Sequence, residues 1–92
     1  MGPVGPNKLL EQGRKAADER SWRRAHEALT AARRAGPLSA PDLWMLAVAA
    51  YLVGDEEGFL EALREAHQAF LAADDALEAV RAAFWIGQHL AG

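Results

Sequence analysis

The sequence predicts an all-α fold of antiparallel helical hairpins, with about five helices. Three observations carry that expectation. Apolar residues recur at spacings of three and four, and no stretch keeps the two-residue alternation of a strand for long. Ser, Asp, Gly and Pro fall between those stretches, where helices start and stop. Much of the apolar content is alanine, a strong helix former with little side chain to bury, so the core must be thin and the helices close together.

Taken in order, residues 1–6 read as a flexible leader, without the basic and apolar regions of a signal peptide. The first helix is expected over Lys8–Glu19, with Asn7 as N-cap and Leu9, Gly13, Ala16 and Ala17 as its packed face. The second follows Ser21, whose hydroxyl is placed to accept a bond from a first-turn amide. Its packed residues are Trp22, Ala25, Leu29 and Ala32, and Gly36-Pro37 stops it. Together these form a hairpin over residues 7–36.

Ser39-Ala40-Pro41-Asp42 opens the third helix, with the acid three residues after the serine as a variant of the capping box. From Leu43 to Val53 the segment is almost wholly apolar, so it must be covered on several sides and is expected at the centre of the domain. Gly54-Asp55 breaks the chain, and Asp55 caps a fourth helix reaching about Ala72. Its stripe is Phe59, Leu60, Leu63, Ala66, His67, Phe70 and Leu71, which completes a second hairpin over 40–73. Asp74 or Asp75 then caps a closing helix over 75–91, carrying Leu77, Val80, Phe84, Ile86 and Leu90.

The intervals in the first hairpin, Leu9, Gly13, Ala25, Leu29, Ala32 and Pro37, resemble the tetratricopeptide repeat, a helix-turn-helix unit of about 34 residues. Leu43, Leu46, Ala47 and the Gly54-Asp55 turn take the corresponding places in a second unit. Phe59 departs from the pattern, standing where a small residue is usual, and a third unit begins only after several extra residues. A closer resemblance lies in the run Asp42 to Glu57, then Ala66-His67-Gln68-Ala69-Phe70-Leu71, then Ala82-Ala83-Phe84-Trp85-Ile86-Gly87. These segments look like the tetratricopeptide-like domains of large LuxR-type bacterial regulators. The resemblance implies a non-catalytic module that binds another protein or peptide, or a second copy of itself; the signal-free start, the absence of cysteine and of a membrane-length apolar run read as cytoplasmic. In that family a C-terminal helix-turn-helix binds DNA, and these residues contain no such unit.

Transferring the groove of such repeats helix by helix nominates Leu10 and Arg14, then Trp44, Val48 and Tyr51, then Arg81, Phe84 and Gln88 as partner-binding residues. Trp44, Tyr51 and Phe84 can equally be core in a protein short of large side chains. Phe84, Trp85 and Ile86 are three adjacent large apolar groups that one neighbour cannot bury, so Trp85 and Ile86 mark an end face. A small-ligand sensor and a self-assembling module are the alternatives to a partner-binding groove.

Composition narrows the field. The 92 residues are enough for one small domain. There is no cysteine, hence no disulfide or thiolate metal site. No apolar run reaches the roughly 18 residues of a membrane span. Net charge is −3, divided unevenly: residues 1–39 hold eight Lys/Arg against four Asp/Glu, and residues 40–92 two against nine. That asymmetry fits head-to-tail attraction between chains. Arg23, Arg24, Arg33 and Arg34 read as a solvated helix face and not as a nucleic-acid surface, because no aromatic residues are interleaved with them. His26, His67 and His89 lie on different helices without ligand spacing, and Ser21 and Ser39 read as caps, so no metal, cofactor or catalytic set is implied.

Overall fold

The structure, a computed structural model, describes residues 5–73. Four helices follow one another: α1 (Pro6–Asp18), α2 (Trp22–Ala35), α3 (Ala40–Val53) and α4 (Glu56–Ala72). No strand occurs among the described residues, and the described fold is all-α. The closing helix expected over 75–91 lies outside the described residues. α1 packs along α2 and α3 along α4, while α2 and, at one end, α1 pack on α3. α3 is thus the central helix, as its all-round apolar sequence requires.

The second hairpin repeats the first at a fixed interval. α3 begins 34 residues after α1, at Ala40 against Pro6, and α4 begins 34 after α2, at Glu56 against Trp22. Buried residues recur with the same step: Gly13 and Ala47, Ala16 and Ala50, Leu29 and Leu63, Ala32 and Ala66. Leu29 and Leu63 are the largest fully buried side chains, set among buried alanines such as Ala25, Ala49, Ala50 and Ala62. Small residues let the backbones approach. A Cβ on Gly13 would sit 2.7 Å from the Leu29 side chain, so only glycine fits against that leucine.

The turns are built alike from different residues. In the first, Ser21 N–H donates to Ala16 O at 2.8 Å and Arg20 N–H to Ala17 O at 3.0 Å. In the second, Asp55 N–H donates to Ala50 O at 2.8 Å and Gly54 N–H to Tyr51 O at 3.2 Å. This pair of bonds closes a helix C-terminus when the intervening residue is left-handed. Gly54 takes that conformation, φ 85°, at no steric cost, whereas Arg20 takes φ 62° against the clash of its Cβ.

Several capping expectations are corrected. α1 starts at Pro6, so Gly5 and not Asn7 is its N-cap; proline has no amide to leave unpaired in a first turn. Ser21 does precede α2, but its side chain makes no cap bond. Ser39 caps no amide either. Its hydroxyl donates instead to Asp42 Oδ2 at 2.8 Å, because that carboxylate is drawn to an arginine across the hairpins and does not turn back to the helix end. Asp55 caps as expected, accepting from Gly58 N–H at 3.0 Å. Leu71, expected in the stripe of α4, is 55% exposed, since Phe70 is the residue of that turn that packs on Leu43 and Ala66.

Candidate functional site

α3 places Trp44, Val48 and Tyr51 at spacings of four and three, on one side of the helix. With Ala47 and Leu52 from the same helix, and Phe59 and Leu63 from α4, they line an apolar groove of about 260 Å³. Phe59 and Leu63 form its buried floor, Trp44 and Val48 are half-buried, and Tyr51 and Leu52 stand 57% and 51% exposed. The Tyr51 and Phe59 rings meet at 5.2 Å and 57°, a tilted contact that fixes the tyrosine at the mouth of the groove. Phe59, the departure from the small-residue pattern, gives the groove an aromatic base.

The other expected site residues fall elsewhere. Leu10 is half-buried against the main core, and neither it nor Arg14 lines the groove. Arg14 holds Asp42 with two bonds, Nε to Oδ1 at 2.9 Å and Nη2 to Oδ2 at 2.7 Å. Asp42, only 3% exposed, is the one buried charged residue among those described. Arg81, Phe84, Trp85, Ile86 and Gln88 lie outside the described residues.

Arg14–Asp42 is joined by further polar ties between the hairpins. His26 Nε2 lies 3.1 Å from Asp55 Oδ2. Arg33 reaches Glu61 Oε1 at 2.9 Å and grips Glu65 with both Nε and Nη2. Each tie runs from a basic group of the first hairpin to an acid of the second. The charge asymmetry of the sequence is therefore used within the chain. Arg14 holds the Asp42 carboxyl below its ordinary range, burial opposes that, and the Ser39 hydroxyl adds to it. The Gly58 amide holds Asp55 below its ordinary range in the same way, opposed by partial burial and helped by His26.

A second cleft, about 540 Å³, opens beside the His26–Asp55 and Arg33–Glu61 contacts and is lined by those residues with Thr30, Arg34 and Glu57 among others. Across it His26 meets Asp55 and Arg33 meets Glu61. Among the described residues no group of three or more His, Asp or Glu could hold a metal ion. No helix among them is long and apolar enough to cross a membrane.

The sequence pattern located Trp44, Val48 and Tyr51 but missed Ala47, Leu52, Phe59 and Leu63 as lining. The signal for Leu52 was its place one residue beyond Tyr51, next to the turn. The ion pairs had a signal too, in the opposed charges of the hairpins. No protein-family model matches the chain, and neither a curated protein nor a solved structure matches it.

Proposed function

We propose that this chain is a non-catalytic protein-interaction module of the tetratricopeptide type, in which the α3–α4 groove grips an apolar face of a partner helix or peptide. The observation that carries this reading is the groove itself: two aromatic residues, a valine and a leucine at helical spacing over a floor of Phe59 and Leu63. Aromatic anchors in such clefts dominate the energetics of peptide recognition, and an amphipathic helix reads them as positions one turn apart. The 34-residue recurrence of helix starts, turns and buried positions supports the repeat assignment. On the same footing we place the module in the cytoplasm, as the partner-binding part of a LuxR-type regulator or a free-standing relative of one.

A small-ligand pocket fits less well. The groove is smaller than the roughly 300–1,000 Å³ usual for such sites, and its lining offers few polar groups to orient a ligand. Selection of helical peptides on the intact protein tests the reading. Bound peptides should lose at least about ten-fold in affinity to Trp44→Ala or Tyr51→Ala, the size of a central anchor. Peptides that bind these variants as well as the parent would refute it.

A further inference from the structure

The groove has a counterpart that is already filled. Counted back 34 residues, its lining residues Val48, Tyr51, Phe59 and Leu63 fall on Arg14, Ala17, Ala25 and Leu29. That part of the first hairpin is the seat of α3. Ala17, Ala25 and Leu29 share one buried cluster with Leu46, Ala49 and Ala50, and Arg14 holds Asp42. α3 therefore shows what a helix presents to such a seat: Asp42, Leu46 and Ala49, all buried and spaced one turn apart. The two seats differ in size and charge. Ala17 becomes Tyr51 and Ala25 becomes Phe59, so two methyl groups give way to two rings that meet at 5.2 Å. Arg14 becomes Val48, and its guanidinium is gone.

We propose that the partner helix, from another protein, meets the groove with a stripe of alanine or glycine; this rests on the function proposed above and names the chemistry of its partner. The distance between packed helices follows the side chains at their contact. Leu46 sits in a cluster with Ala17 and Ala25, where there is room for it. A leucine in the same place over Tyr51 and Phe59 overpacks the contact or holds the helices apart. An alanine there restores the close approach and lets the rings fill the space. The charge rule follows from the same comparison. Where α3 has Asp42, the partner needs an apolar residue, because Val48 offers no hydrogen bond to a carboxylate taken out of water. Tyr51, Phe59 and Val48 thus reject leucine-faced and acid-faced helices while they accept an alanine-faced one.

Three stapled helical peptides, alike outside the stripe, test this on the full chain by fluorescence anisotropy. One carries leucine, alanine and alanine at the spacing of Asp42, Leu46 and Ala49 in α3. The second has leucine at the middle position, and the third has aspartate at the first. The alanine-faced peptide should bind at least about ten-fold more tightly than either of the others, the scale of one overpacked contact or one unpaired buried acid. Tyr51→Ala returns that position to the size of Ala17, and with Tyr51 57% exposed the fold does not depend on its ring. The variant should weaken the alanine-faced peptide, strengthen the leucine-faced one and leave the aspartate penalty in place. Equal binding of the leucine-faced and alanine-faced peptides, or an unchanged preference in Tyr51→Ala, overturns the proposal. If those peptides still lose affinity to Trp44→Ala, the interaction reading survives it. Binding of no peptide overturns both and leaves the groove to the chain's own residues. Binding that appears only as the protein is diluted also overturns the proposal, by assigning the groove to a second copy.

Discussion

The surface between the hairpins and the groove of the second hairpin are built from different chemistry on one backbone plan. Between the hairpins, Arg14, His26 and Arg33 reach across to Asp42, Asp55, Glu61 and Glu65 over a bed of alanines. Thirty-four residues after Arg14 stands Val48, in the lining of the apolar groove. The first surface is specified by charge and hydrogen-bond geometry, which accept one neighbour in one register. The second is specified by shape and apolarity, which accept any complementary apolar face. One backbone plan therefore yields a fixed joint and an adaptable one.

The largest test of that contrast is in the floor. Leu29→Ala and Leu63→Ala should each lower unfolding free energy by about 3 kcal/mol, measured by urea denaturation, because both leucines are fully buried. Only Leu63→Ala should also weaken peptides held in the groove, since Leu63 lines it and Leu29 does not. Equal binding losses in the two variants would mean that the surfaces are not separable.

Next comes the charged joint. Arg14→Ala leaves the Asp42 carboxylate buried with only Ser39 to bond it, and should lower the urea midpoint of unfolding. The double variant Arg14→Val/Asp42→Ala gives the joint the apolar character of the second surface and should recover most of that loss. Failure to recover would show that the pair is net attractive and not merely a satisfied buried charge.

The turns offer a smaller contrast. Gly54→Ala should destabilise by about 1 kcal/mol by forcing a Cβ into the left-handed region. Arg20→Gly should stabilise by about 0.5 kcal/mol, the relief of strain being partly offset by a more flexible unfolded chain.

Acid gives the last and most gradual effect. Asp42 and Asp55 both titrate lower in the folded chain than their ordinary value of 3.8. Their contribution is complete above that ordinary value and fades as pH falls through the depressed folded values. Thermal midpoints should drop as pH is lowered below about 4, and Asp42→Asn should flatten that drop. A parent protein whose midpoint is level through that window would show that these bonds contribute little.

Much of this fold was legible from local chemistry. Helix periodicity, the Gly54-Asp55 break and the small residues Gly13 and Ala47 gave four helices within a residue or two of their ends. The errors came where long-range bonds outrank local ones. Ser39 and Asp42 have the spacing of a cap, but Arg14, distant in sequence, claims the acid. Arg20 carries no sign of its left-handed backbone, because arginine is not chosen for that conformation. In the groove, α3 alone indicated Trp44, Val48 and Tyr51; Phe59 and Leu63 enter only once α4 is laid beside it.

The alanine core has a thermal consequence. The heat-capacity change of unfolding rises with the apolar area that unfolding exposes. Ala25, Ala49, Ala50, Ala62 and Ala66 are wholly buried, yet each contributes a single methyl group. The chain should therefore fall at or below the usual range of about 12–15 cal/mol/K per residue. Its stability curve is correspondingly shallow: a modest maximum, a broad melt, and little change across ordinary growth temperatures.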